Sequence, residues 1–299
     1  MSSDQSMAEW PATRWQLTAP ESFVLLNGPN TSGSQAFKLG VMELVARGAL
    51  ALDTATEGRI RRHQVSILRD GARPGAPREQ ALDAIWNLYQ RTPGRHHKGE
   101  QQGTRVEDLA KTAVKHYGSI ARYVRQDVVP ALVDRGLYER REGRILWIIP
   151  TTRYVLTPDG EAARDELQRL LSLGERGVVG WTDDDPGRAM GYAAIAGAAL
   201  LLQPDLFPHL QRARSTTGSD YGGGTYYGTT STDDPSDVSL PFDFGGFDFG
   251  NLDLGDFGGF DAALSAIDSA IDAGGGDDGG GDSGGGDGGG GGDSGGGGE

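Results

Sequence analysis

Through residues 16–214, apolar positions recur mostly at helical spacing. Segment 16–27 (QLTAPESFVLLN) reads as a short helix, and the turn-forming cluster 28–34 ends it. Over 36–52, Phe37, Leu39, Val41, Leu44, Val45 and Leu50 share an apolar helical face, with Gly48 after Arg47 as a C-cap. Residues 59–70 (RIRRHQVSILRD) alternate as a strand anchored by Ile60, Val65 and Ile67. A loop with two prolines, 71–77, leads into a helix over 78–89 with Leu82, Ile85, Leu88 and Tyr89 inward.

The polar stretch 91–104, with His96 and His97, reads as an exposed loop. Helices follow over 106–116 and 119–135; the second buries Val124, Val128, Val129, Leu132 and Val133 and stops at Gly136. Residues 137–156 (LYERREGRILWIIPTTRYVL) read as two strands around a turn. Thr157 caps a helix over 158–173, with Pro158 at its first position. Asp183, Asp184, Asp185 and Pro186 precede a helix running to about Leu202, 203–208 is a break, and a last turn ends near Arg214. Two stretches echo one another: FKLGVMELVARGALAL and VVPALVDRGLYERREGRI each set an apolar helix before Arg-Gly and then a strand. Helix, glycine, strand, turn, strand is also a winged-helix pattern.

Composition divides the chain in two. Residues 215–299 hold 29 of the 49 glycines, 17 of the 42 acidic residues and none of the 28 basic ones. That leaves 25 acidic against 28 basic residues in 1–214, a net charge near +3, although the whole chain carries −14. Residues 1–15 read as a flexible arm, 16–214 as one compact domain and 215–299 as a disordered acidic tail. The tail lacks the apolar mass to offset the entropy of ordering a glycine-rich backbone. Within it, 238–260 alternates Phe or Leu with Asp and Gly, and 261–273 reads as one amphipathic helix on Leu264, Ile267 and Ile271. The fold expected is mainly α with short β-hairpins.

The N-terminal arm carries acidic residues and no apolar core, so it does not read as a signal peptide. The longest apolar run, 189–202, has 14 residues and two glycines, short of the ~20 that a bilayer span needs. The chain is therefore expected in the cytoplasm, at most peripheral at a membrane surface. Without cysteine there is no disulfide, thiolate site or Cys nucleophile. The five histidines are scattered, and the run Asp183–Asp185 suits a helix N-terminus more simply than a cation. No phosphate loop, HExxH motif or nucleophile elbow is present. Neither an enzyme nor a metal or other cofactor is expected.

The basic residues are more informative. Arg122 and Arg125 stand three apart on a helix, a fork suited to a phosphate. Leu146, Trp147, Ile148 and Ile149 continue an unbroken apolar run at the turn of the hairpin, between Arg144 and Arg153. Such a run is either a strand buried on both faces or an apolar contact surface.

The order ELVARGALAL, PREQALDAI, ARYVRQDVVPALVDRGLYERREGRILWIIPTTRY resembles the Golgi phosphoprotein 3 family over residues 17–212. The resemblance implies a single helical domain and a cytosolic, non-catalytic adaptor that binds phosphatidylinositol 4-phosphate. It identifies the chain as a divergent, prokaryotic member. The family's two phosphate-holding helix arginines fall on Arg122 and Arg125. Its apolar hairpin, used in membrane insertion and self-association, falls on 144–156. The family's pocket also uses a Trp and an Arg ahead of its first matched helix. Here 28–34 has no Trp, and only Lys38 lies near the Arg position. The partners implied are an anionic lipid (phosphatidylinositol 4-phosphate or a substitute), a second copy through the hairpin, and an unidentified protein for the tail. Nucleic acid is not expected: Asp127 and Asp134 interrupt a recognition helix, and the tail's charge competes with DNA. A winged-helix nucleic-acid binder and a scaffold acting through its tail are the alternatives.

Overall fold

The computed structural model describes residues 15–57, 63–94, 103–145 and 149–218, together with residues 265, 267–269 and 271. The architecture is mainly helical with a few short antiparallel strands. Helix α1 (Ala19–Asn27) begins with a capping box: Glu21 N–H donates to the Thr18 hydroxyl, and Thr18 N–H donates back to the Glu21 carboxylate. Helix α2 (Gly33–Ala46) is capped by Ser32. Strands β1 (Leu50–Glu57) and β2 (His63–Asp70) pair antiparallel, and β3 (Thr104–Arg105) adds to β2. Helices α3 (Gln80–Arg91) and α4 (Val106–Tyr117) stand where their apolar periodicity puts them.

The predicted helix 36–52 is shorter than its apolar run. Gly48, at φ 69°, turns the chain: Gly48 N–H donates to Val45 O and Ala49 N–H to Leu44 O. This is a Schellman stop, and Leu50 already belongs to β1. The same pair of bonds recurs at Gly136, from Gly136 to Val133 O and from Leu137 to Leu132 O, ahead of β4 (Tyr138–Ile145) and β5 (Ile149–Leu156). The internal echo is therefore a repeated device of helix, left-handed glycine and hairpin. Thr104, read as loop, is buried and pairs with Leu68. Ile60, His96 and His97 lie outside the described residues.

Helix 119–135 is not continuous. It runs as α5 (Ala121–Tyr123), a π-helical turn (Val124–Val128) and α6 (Val129–Asp134). Pro130 is the cause: it has no N–H for Gln126 O, and its ring would clash with that carbonyl. A wider turn relieves the conflict, and Val129 N–H reaches back five residues to Val124 O. The inward residues are as predicted, with Val124, Val128, Val129 and Leu132 buried and Val133 half-buried.

The helix after Thr157, α7 (Pro158–Asp184), passes the predicted end at 173 by three turns. Gly174 is no terminator. A Cβ there would lie 2.1 Å from Tyr192 Oη, so glycine admits the tyrosine of α8 (Pro186–Ala196) against α7. Asp185 caps α8 through its carboxylate, accepting from Arg188 N–H at 3.0 Å, while Asp183 and Asp184 end α7. At Gly197 the expected helix to 202 tightens into a 3-10 turn, and α9 (Phe207–Gly218) runs beyond Arg214.

Two apolar clusters sit on either side of α1 and α2. One holds Phe37, Leu44, Ile85, Leu109, Tyr123 and Leu132; the other joins Leu39 and Met42 to Val178, Tyr192, Leu200 and Phe207. Around them the Arg of each Arg-Gly stop is an ion-paired clamp. Arg47 binds Glu43 (Nη2–Oε1 2.5 Å) and Glu79 (Nη1–Oε1 2.7 Å). Arg135 binds Glu21 (3.1 Å) and the Gln16 carbonyl (3.0 Å).

Glu43 is fully buried and also accepts from Ala19 N–H at 2.6 Å. Burial pushes its carboxyl up to about 7, against the opposing pull of Arg47 and the Ala19 N–H. A carboxyl raised on folding holds a proton that the unfolded chain releases. Its contribution is complete below about pH 4.5 and is lost as pH rises through about 7. Glu43→Gln should therefore flatten the fall in stability across this window, by at most ~1.4 kcal/mol per pH unit. Urea unfolding of both proteins at several pH values checks this; parallel pH profiles would contradict it.

Candidate anion-binding site

Arg122 and Arg125 lie on the solvent side of the α5 and π-turn segment, while Tyr123, Val124 and Val128 fill the core beneath. Tyr123 anchors the segment: its hydroxyl donates to Ala81 O at 3.0 Å, and its ring meets Phe37 edge-on at 5.5 Å. The Arg122 guanidinium folds back over Gly118, the cap of α4, where a Cβ would lie 3.4 Å from Nη1. That position is favourable, because the carbonyl end of α4 attracts a cation. Among the described residues neither Arg122 nor Arg125 has a carboxylate partner, whereas Arg47, Arg69, Arg135, Arg140 and Arg141 are all ion-paired.

The acidic residue of the same turn, Asp127, is half-buried and accepts from the Tyr117 hydroxyl at 2.7 Å. Burial raises its carboxyl above the ordinary value, although the Tyr117 bond and the nearby His116 oppose the shift. Burial, with the Asp127 carboxylate beside it, also raises the Tyr117 phenol.

The first turn of α2 closes against this segment. A Cβ on Gly33 would lie 2.5 Å from Ile120 O and 2.6 Å from Ala121 Cα, so only glycine permits the approach. Lys38 follows Phe37 and Arg122 precedes Tyr123, so the two cations are carried by chain neighbours of one aromatic pair. Lys38, however, is not open to solvent: its ammonium is buried and ion-paired with Asp268. No residue-type pattern foretells that contact, because its partners lie 230 positions apart.

The hairpin β4–β5 holds register from Tyr138↔Leu156 to Ile145↔Ile149. Its base, at Tyr138, is buried. Residues 139–143 and Thr152, Arg153 and Val155 are exposed, which puts both faces of the ladder in water. With strands of eight residues, the arm is about 25 Å long. The flanks are thus not those of a strand buried on both faces. Leu146, Trp147 and Ile148 lie outside the described residues, as does the Ile149 side chain.

The family model described as Golgi phosphoprotein 3 (GPP34) matches residues 19–219. The chain belongs to the Golgi phosphoprotein 3 family. No curated protein matches it. Golgi phosphoprotein 3 proteins are non-catalytic adaptors that associate peripherally with membranes and bind phosphoinositide lipid. The matched range takes in every described element of the domain, from α1 to α9. Among the described residues no helix is long and apolar enough to cross a membrane. Among them, too, no group of three or more His, Asp or Glu side chains could hold a metal ion.

Proposed function

We propose that this Golgi phosphoprotein 3 protein is a peripheral membrane adaptor that recognises phosphoinositide or other anionic lipid headgroups through Arg122 and Arg125. Lys38 adds a third cation to that site once it is released from Asp268. The apolar tip of the hairpin (Leu146, Trp147, Ile148 and Ile149) supplies a second anchor and a surface for self-association. The observation that carries the reading is the pair of exposed guanidiniums without a carboxylate partner among the described residues, in a family of lipid-binding adaptors. An arginine that a protein does not pair internally keeps its charge and its planar fork for an outside anion.

Each basic side chain near an anionic surface contributes ~1 kcal/mol, so the Arg122→Ala/Arg125→Ala variant should bind anionic vesicles about thirtyfold more weakly. Wild-type binding should also weaken as salt is raised. Co-sedimentation with phosphatidylserine vesicles reads both effects. Equal binding by wild type and double variant would remove these arginines from the site.

A further inference from the structure

The acidic tail returns to the domain. Residues 265, 267–269 and 271 are helical, and Ile267, only 1% exposed, belongs to the same apolar cluster as Phe37 and Tyr123. Ile271, one turn on, packs at the edge of that cluster. Between them Asp268 reaches Lys38 and forms its ion pair there, leaving the lysine side chain 9% exposed and the aspartate 50% exposed. Two isoleucines four apart thus seat the segment, and one carboxylate is delivered to Lys38, the chain neighbour of Phe37.

From these contacts we infer that tail residues 265, 267–269 and 271 are a resident acidic occupant of the lysine end of the anion site, competing in cis with anionic lipid. The inference rests on the lipid-binding reading above. A carboxylate on Lys38 stands where a phosphate oxygen would stand, and both cannot hold one ammonium at once. Tethering makes even weak docking effective, because a tail on the same chain is held at an effective concentration near the millimolar range. The seat is short and its aspartate half-exposed, so a densely anionic surface can displace it. Membranes of low negative charge would leave the segment in place, which makes the tail a threshold on membrane charge.

The test uses the full chain and vesicles of neutral lipid with a small fraction of phosphatidylinositol 4-phosphate. Hydrogen exchange over 265–271 reads the docking, and vesicle flotation reads the competition. In wild type the segment is expected to be protected. Ile267→Asp should lose that protection and bind the vesicles at least about fivefold more tightly, the worth of one freed lysine at an anionic surface. Asp268→Asn, which keeps the isoleucine seat, should also bind more tightly. That gain should vanish in Asp268→Asn/Lys38→Ala. Asp282→Asn, the same charge change elsewhere in the tail, should bind like wild type.

Absence of protection in wild type overturns the inference. So does undocking without tighter binding, and so does an equal gain from Asp282→Asn; in these cases flotation of wild type leaves the lipid-binding reading standing. Failure of both wild type and the undocked Ile267→Asp to float overturns the lipid-binding reading, and the inference with it.

Discussion

Arg47→Ala is expected to lower folding stability at pH 9, where wild-type Glu43 is ionised, by about 3–5 kcal/mol, a large share of the ~5–15 kcal/mol that holds a domain of this kind folded. The guanidinium reaches two carboxylates at once, Glu43 at 2.5 Å and Glu79 at 2.7 Å. Without it, Glu43 is left fully buried, with the Ala19 N–H at 2.6 Å as its hydrogen-bond donor among the described residues. Breaking a buried pair from one side costs more than the pair is worth, because the remaining charge has lost its water and its partner.

The loss should depend on pH in a defined direction. Burial already raises Glu43 to about 7 with Arg47 opposing it, and removing Arg47 raises it further. Below about pH 7 Glu43 is protonated in wild type and variant alike, no buried charge remains in either, and the destabilisation should shrink. Urea unfolding midpoints at pH 5 and pH 9 read this. A loss under ~1 kcal/mol at pH 9 would show that the pair behaves like an exposed one.

The second large effect is expected at the hairpin. Trp147→Asp/Ile148→Asp should weaken vesicle binding at least about hundredfold while leaving folding intact. A single large apolar side chain contributes ~1.5–3 kcal/mol when buried, and here two are lost and two charges gained. Folding should tolerate the change because the described flanks of the arm are in water on both faces, and only its base joins the core. Stable attachment usually takes two signals, which is why neither the arginine pair nor the tip suffices alone. Flotation and thermal unfolding of the same variant separate the outcomes. A variant that unfolds would place the tip in the core; a folded variant that floats like wild type would remove the hairpin as an anchor.

Elements with strong local signals were legible in the sequence. Thr157 caps a helix where the Pro158 after it indicates, and α3 and α4 follow from apolar periodicity. The paired Arg-Gly stops were legible as an echo because a left-handed glycine has a sequence signature. Strand β1 was not, since Leu50, Ala51 and Leu52 continue the apolar run of α2 and only the glycine before them ends the helix. Pro130 signals an interruption but does not say whether a helix breaks, kinks or widens, as it does here into a π turn. Gly174 looks like a terminator in one dimension and proves to be a docking point for Tyr192 in three.

At the candidate site the arginine spacing was visible, and the resemblance gave it meaning. The burial of Lys38 was not, because its partner Asp268 belongs to a tail whose composition argues against order. Ile267 and Ile271 were marked as one face of an amphipathic helix, but nothing local says which surface receives it.

The most direct measurement is flotation of the full chain with neutral, phosphatidylserine-containing and phosphatidylinositol-4-phosphate-containing vesicles, at low and moderate salt. The predicted result is flotation with both anionic sets, weaker at moderate salt, and none with neutral lipid. Absence of flotation with every vesicle, or equal flotation with neutral ones, would contradict an adaptor that recognises anionic headgroups.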